Sequence, residues 1–268
     1  MHYSNGTKWF LRLGTGFVLL FLYFPIAIIA LYAFNERLAQ TWPIPGFTLH
    51  WWSKAFSNHG VRDALLTSVK AGLAATAIAI ILGTLAAYAV SRYKFFGREV
   101  ISFLVILPIA LPGIVTGMAL NSTFTQVLGI DLSLGTVIVG HATFCIVVVY
   151  NNVLARLRRT SESFEEASLD LGASQFKTFW LVTFPQMRSA LIAGALLAFA
   201  LSFDEVIVTT FTNGDSETLP IWILSNLSRP RALPVVNVVG ICVILLSMIP
   251  VYFAHRLTAD PVASAGGR

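Results

Sequence analysis

Two adjacent acids, Asp204 and Glu205, lie in a stretch, 190–212, that otherwise carries no charged residue. A carboxylate in a membrane-spanning segment costs about 2.5–3.5 kcal/mol on insertion scales, so it should face water, a partner group or a bound cation. The pair could therefore recognise a positively charged ligand. Because neighbouring helical positions point about 100° apart, we favour Asp204 as the pathway residue and keep Glu205 as the second candidate. The alternative is that both acids pair with basic or backbone N–H groups of a neighbouring helix or subunit.

Other reactive side chains offer less chemistry. His141 has no Asp, Glu or Cys at ligand spacing, so hydrogen bonding to an adjacent helix is favoured over a metal or proton role. Cys145 and Cys242 stand in apolar segments, where a free Cys behaves as a small hydrophobe, so we expect no disulfide and no metal site. The sequence contains no G-x-x-x-x-G-K-[ST] phosphate loop and no catalytic arrangement of His, Asp, Glu or Ser. We therefore expect no enzyme activity and no cofactor in this chain.

The composition indicates the membrane elements that must position these residues. The chain has 56% hydrophobic and 12% charged residues, which is typical of an integral membrane protein. A spanning helix needs about 20 mostly apolar residues, and helices satisfy their own backbone polar groups in lipid. We predict an all-α bundle forming one domain over 1–268, with six spans at 14–34, 71–90, 100–120, 132–154, 190–212 and 235–254.

The distribution of basic residues predicts the orientation of these spans. Loops retained in the cytoplasm collect Lys and Arg. With the N-terminus inside, 12 of the 18 basic residues fall on the inner side, and the short loop 91–99 is the clearest case. Both termini are therefore predicted to be cytoplasmic, and the net charge of +5 is interpreted as an orientation signal without a nucleic-acid partner.

Three connections between the spans are long enough to carry structure. The outer connection 35–63 is rich in Trp and Phe, which favour the headgroup level, and a short surface helix is expected near 49–56. The outer connection 213–234 holds an apolar patch at 221–227 that suits a half-inserted or surface helix. The third connection, 155–189, faces the cytoplasm.

The inner connection reads as a helix, a glycine turn and a second helix. Ser163 followed by Glu166 is a capping-box pattern that predicts a helix start. Gly172 suits the left-handed residue that ends a helix, and Ser174 can cap the next one. Pro185 marks the point where the second helix bends or yields to the fifth span.

This connection resembles a known family signature. Its Glu166-Ala167-Ser168, three residues, Gly172, nine residues and Val182-Thr183-Phe184-Pro185 look like the signature loop of ABC-importer membrane subunits. Ser168 stands where Ala is usual, Val182 for Ile and Phe184 for Leu. The resemblance implies a type I importer bundle in which Glu166, Ala167, Ser168, Gly172 and Pro185 belong to the region that couples to a separate ATPase.

Two further stretches extend the likeness. The run 107–117 resembles the Pro-kinked helix of the same permeases, and its prolines and small residues predict a bent, closely packed helix. The run 202–220, followed by Arg229-Pro230-Arg231, Pro234 and Asn237, is similar to the spermidine/putrescine branch of that family. The resemblance implies a flexible cation with two or more charges as substrate.

The likeness also implies partners and a mechanism. It implies two copies of an ATP-binding subunit inside, a second membrane permease subunit that is usually a different chain, and a soluble periplasmic or extracellular binding protein, all at a bacterial cytoplasmic (inner) membrane. ATP would then be bound by the partner, and the inner loop would act as a lever for alternating access. A secondary transporter or cation channel using Asp204 and Glu205 is the alternative function.

Overall fold

Helices dominate the part of the chain that the computed structural model describes, residues 4–229 and 231–258. An isolated β-bridge joins Asn35 and Phe47. The α-helices are α1 (Asn5–Tyr32), α2 (His50–Ser57), α3 (His59–Arg92), α4 (Arg98–Ala110), α5 (Gly113–Ser122), α6 (Leu134–Arg158), α7 (Ser163–Asp170), α8 (Gln175–Thr178), α9 (Phe184–Phe203), α10 (Ile207–Thr212), α11 (Leu219–Leu227) and α12 (Leu233–Thr258). Two π-helical turns, Thr123–Val127 and Phe179–Thr183, follow α5 and α8.

Four of these helical stretches are long and apolar enough to cross a membrane. They are α1, α3, α6 and the 29-residue stretch Gln175–Phe203, which runs from α8 through the π-helical turn into α9. Helices α4 and α5, with the π-turn after α5, make a fifth span if the bent pair is counted as one. The part Leu233–Ile249 of α12 is a shorter apolar helix. The all-α membrane fold predicted from the sequence is confirmed, and the described helices are consistent with six spans.

The described residues form two compact units. One contains the residues up to 62 together with 222–245, and the other contains 63–221 together with the residues from 246 onward. Within the first unit, the expected short helix near 49–56 is present as α2. The indole Nε1 of Trp51 in α2 donates a hydrogen bond of 2.8 Å to the backbone oxygen of Asn35, and both residues are buried. This bond ties the aromatic connection to the end of α1.

The core of the second unit depends on small residues in α3. Every fourth position of this helix is small and buried, which lets a neighbouring helix approach closely. At Gly83 a Cβ atom would lie 2.9 Å from the backbone oxygen of Ile146 in α6, so only glycine fits there. The buried small residues at this spacing are Ala71, Ala75, Ala79, Gly83 and Ala87.

The third predicted span is bent, as expected, but the bend is a complete break. Helices α4 and α5 meet at 104°. Leu111 has an extended backbone, with φ −82° and ψ 145°, because a residue before proline is driven out of the helical region. Pro112 follows it as the N-cap of α5. Pro108, in contrast, lies inside α4.

The fifth predicted span, 190–212, is wrong as a continuous helix. The helical stretch begins at Gln175, ends at Phe203 and resumes as α10 at Ile207. The cause lies in the polar residues between Phe203 and Ile207, whose hydrogen bonds are described below.

Candidate functional site

The break between α9 and α10 separates the environments of the two predicted acids. Asp204 is the C-cap of α9, with φ −96° and ψ 1°, and it is exposed. Glu205 is half-buried, and its Oε1 atom accepts a hydrogen bond of 2.9 Å from the backbone N–H of Val208 in the first turn of α10. A side chain that satisfies a backbone donor in this way replaces a helical hydrogen bond and favours a new helix start. Glu205, one residue before the N-cap Val206, thus satisfies a backbone N–H in the first turn of α10, whereas Asp204 is exposed.

His141 of α6 bridges the same break. Its Nδ1 atom lies 2.7 Å from the hydroxyl of Ser202 in α9, and its Nε2 atom lies 2.8 Å from the hydroxyl of Thr209 in α10. The Thr209 hydroxyl donates to the backbone oxygen of Glu205 at 2.7 Å, so Nε2 must be the donor to Thr209. A neutral ring then leaves Nδ1 as the acceptor from Ser202, which satisfies both ring nitrogens. The predicted role of His141 in hydrogen bonding to an adjacent helix is confirmed.

Polar contacts from α5 and α6 hold the far end of α10. The side-chain amide of Asn121 donates to the backbone oxygen of Phe211 at 2.6 Å. The hydroxyl of Thr136 donates to the backbone oxygen of Thr212 at 2.7 Å. A Cβ atom on Gly117 of α5 would come within 2.7 Å of the Phe211 ring, so this pair of helices also requires glycine there. Helix α10 is therefore fixed against its neighbours at both ends.

The connection 155–189 forms the predicted helical hairpin, which we define as residues 163–178. Gly172 has φ +84° and ends α7. Its N–H donates to the oxygen of Leu169 at 2.9 Å, and the N–H of Ala173 donates to the oxygen of Ser168 at 3.1 Å. This is the hydrogen-bond pattern of a Schellman motif. Ser174 caps α8 through a 3.4 Å bond from the N–H of Lys177, so both predicted cap assignments are confirmed.

The predicted capping box at Ser163 and Glu166 is wrong. Helix α7 begins at Ser163, but its N-cap residue is Glu162, which makes no side-chain cap. The Ser163 hydroxyl contacts that of Ser161 at 2.7 Å instead. With this start, Glu165 rather than Glu166 occupies the third helical position, and Arg92 engages its carboxylate. Glu166 and Ala167 are exposed.

The two arms of the hairpin are linked and continue into α9. The hydroxyls of Ser168 and Thr178 lie 3.0 Å apart. The π-helical turn Phe179–Thr183 follows, and Pro185 stands at the start of α9. Proline has no N–H to offer the carbonyl four residues earlier, so a wider turn before it accommodates the missing bond. Pro185 thus lies at the start of α9, within the helical stretch Gln175–Phe203, and a bend at this proline stays a prediction.

Arg92, which sequence reasoning did not select, attaches the hairpin to α3. Its Nε atom donates to Oε1 of Glu165 at 2.9 Å, and its Nη1 atom lies 3.5 Å from Oε1 of Glu162. A basic residue at the inner end of a span is expected for orientation alone, so no signal in the sequence marks it for this role. The acidic pair at the helix break and the hairpin are thus two separate candidate sites within the second unit.

The fold and these sites describe a polytopic helical membrane permease, and comparison with known proteins supports this class. Residues 79–260 match the family described as "Binding-protein-dependent transport system inner membrane component". The spermidine/putrescine transport system permease protein PotC of Haemophilus influenzae is 33% identical over 255 residues, covering 94% of this chain and 98% of that protein. The putrescine transport system permease protein PotI of Escherichia coli is 32% identical over 214 residues, covering 77% of this chain and 75% of its own length.

A solved structure shares the fold. The bacterial alginate ABC transporter, crystallised in complex with alginate pentasaccharide-bound periplasmic protein, contains a chain that matches with a TM-score of 0.72 at 14% identity. The match covers 94% of this chain and 93% of the other. This chain belongs to the family of inner membrane components of binding-protein-dependent transport systems, and it is a permease subunit of such a system.

Proposed function

We propose that this permease subunit forms part of the import pathway for a polyamine or a related organic cation. The observation that carries the proposal is the exposed carboxylate of Asp204 at a break between two membrane helices, while Glu205 is occupied in capping α10. An acid in such a position is favourable when a cation neutralises it. The names of the relatives at 32–33% identity support a cation of the spermidine or putrescine type.

The hairpin is the proposed contact with a separate ATP-binding subunit. The hairpin presents apolar side chains to the surroundings, including Leu171 at 89% exposure, Phe176 at 73% and Phe164 at 59%. Apolar groups exposed together in this way suit a protein partner. We propose that Glu166, Ala167, Ser168 and Gly172 contribute to this contact, that Pro185 sets the direction of the helix behind it, and that the partner binds the ATP.

The proposed assembly has two ATP-binding subunits, a second permease subunit and an external binding protein. The N-terminus, the C-terminus and the hairpin lie on the cytoplasmic side in this proposal, in agreement with the bias of Lys and Arg. ATP binding closes the ATPase pair, the hairpin moves, and the pathway opens outward to accept the cation. Coupling requires hairpin contacts that differ between the two states, because a contact equal in both states biases neither.

Transport by the complete complex in liposomes tests the proposal. The vesicles contain ATP and receive the binding protein with labelled putrescine or spermidine outside. We expect accumulation that requires hydrolysable ATP and that other di- and polyamines inhibit by competition. Accumulation without ATP would favour a secondary transporter or channel, and inhibition by anions instead of amines would overturn the substrate class.

A further inference from the structure

The ion pair between Arg92 and the hairpin is largely shielded from solvent. The Arg92 side chain is 7% exposed and that of Glu165 is 13% exposed, whereas that of Glu162 is 61% exposed. Exposed pairs contribute little because water screens them. Removing one member of a shielded pair leaves the other charge without its partner, so the pair resists separation. Glu165 is accordingly the principal partner of Arg92.

The position of each charge suits the helix that carries it. Arg92 is the last residue of α3, and Glu165 lies in the first turn of α7. Cations are favourable at the C-terminal end of a helix and acids at the N-terminal end, because the backbone dipoles leave partial charges there. The ion pair therefore joins two helix ends whose dipoles reinforce it.

A second contact joins Phe179, the residue directly after the hairpin, to the same turn of α3. The rings of Tyr88 and Phe179 lie 5.5 Å apart in an edge-to-face arrangement. Tyr88 precedes Arg92 by four residues, so both side chains lie on one face of α3. Phe179 opens the π-helical turn directly after α8. The last turn of α3 thus contacts the first turn of α7 and the residue that follows α8.

We propose that Arg92 is the positioning residue that transmits movement of the hairpin to α3. This inference rests on the proposed function, in which the hairpin moves with the ATPase. With both ends fastened, the hairpin and the inner end of α3 move as one body. Without the ion pair, the hairpin can follow the ATPase while α3 stays behind, so ATP is hydrolysed without transport.

A cleft beside the ion pair leaves space for water next to Arg92 and Glu165, so neutral substitutions at these two positions can be accommodated. It has a volume of about 210 Å³, and among its lining residues are Tyr88, Arg92, Glu165 and Thr178. No acceptor among the described residues is bonded to Nη2 of Arg92. The cleft is large enough for several water molecules, each of which occupies about 30 Å³ in the liquid. Solvent can therefore satisfy a neutral replacement at either position.

The test compares Arg92→Gln and Glu165→Gln with Glu162→Gln as the matched control. In the reconstituted complex, we expect the first two variants to lower the ratio of polyamine transported to ATP hydrolysed by about tenfold, within the usual range of coupling between sites. Glu162→Gln should stay within about twofold of the unchanged protein, because its pair is exposed. Reversing the charges with Arg92→Glu and Glu165→Arg together should restore part of the ratio.

A purely structural role would lower uptake and hydrolysis in equal proportion, and that outcome would overturn the proposal. Amide hydrogen exchange of residues 163–170 in the purified complex provides a measurement without substrate. We expect about tenfold faster exchange in Arg92→Gln than in Glu162→Gln, because the first helical turn opens more often. Equal exchange would also overturn the proposal. If the complex transports no polyamine with ATP but still shows this difference in exchange, the proposed function is refuted. The attachment of the hairpin to α3 through Arg92 is then still supported.

Discussion

The Nε2 atom of His141 in α6 lies 2.8 Å from the hydroxyl of Thr209 in α10, on one side of the break between α9 and α10. The other ring nitrogen contacts Ser202 on the opposite side of the break at 2.7 Å. All three side chains are buried. A single imidazole therefore fixes the distance between two half-helices and, with it, the place at which Asp204 is presented.

This bridge predicts strong coupling between substitutions at its two ends. His141→Leu and Thr209→Val should each lower the stability of the complex by about 1–3 kcal/mol, because each leaves a buried polar group without its partner. The double variant should lose less than the sum, since both changes remove one interaction. Thermal unfolding of the purified complex measures the three values. Additive losses would mean that the two side chains do not act together.

Asp204 is predicted to interact directly with the cation during transport. Asp204→Asn should reduce polyamine uptake about tenfold or more, because a hydrogen bond to a charged group contributes about 1.5–3 kcal/mol. The ATP-binding subunits should still assemble with the variant. The matched control is Asp131→Asn, which removes the charge of an exposed acid in the loop before α6. Full uptake by Asp204→Asn would exclude this acid from the pathway.

Glu205 is predicted to act through its cap rather than its charge. Glu205→Gln retains a side-chain oxygen for the Val208 N–H, so uptake should stay close to that of the unchanged protein. Glu205→Ala removes the cap, which costs about 1 kcal/mol, and should lower both stability and uptake. Uptake assays of the two variants at equal membrane content separate these roles. Loss of transport in Glu205→Gln would instead place the charge itself in the pathway.

Gly172 is predicted to be essential for the shape of the hairpin. Its φ of +84° is unfavourable for β-branched residues, so Gly172→Val should strain the turn by about 1–3 kcal/mol and uncouple hydrolysis from uptake. Gly97 offers a matched control, because it has nearly the same φ, +85°, in the loop between α3 and α4. Gly97→Val imposes similar strain outside residues 163–178, at a position with no atom within 4 Å of the added Cβ, and should leave the ratio of transport to hydrolysis unchanged. Normal coupling in Gly172→Val would argue against a lever role.

Local chemistry made part of this structure predictable. Gly172 and Ser174 were assigned from conformational demands that few residues satisfy, and Leu111 before Pro112 breaks the third span for the same kind of reason. The break after Phe203 escaped prediction because apolar residues flank it on both sides, and the side chain that bridges it, His141, comes from α6. The pairing of Arg92 with Glu165 joins positions 73 residues apart. The local sequence around either residue does not predict such a contact.

The location of the hairpin is the claim on which the coupling account depends. Leu171, at its tip, is 89% exposed, so Leu171→Cys can report accessibility without removing a packed side chain. Lys54→Cys, at an exposed position of α2 in the connection predicted to lie outside, serves as the opposite marker. Both are introduced into a chain whose native Cys145 and Cys242 are replaced by Ala.

Labelling with a membrane-impermeant maleimide provides the most direct measurement. We expect Leu171→Cys to react in inside-out vesicles that lack the ATP-binding subunit, to be protected when that subunit is present, and to stay unlabelled in right-side-out vesicles. Lys54→Cys should show the reverse sidedness. Labelling of Leu171→Cys from the outside, or equal labelling with and without the ATP-binding subunit, would contradict the account.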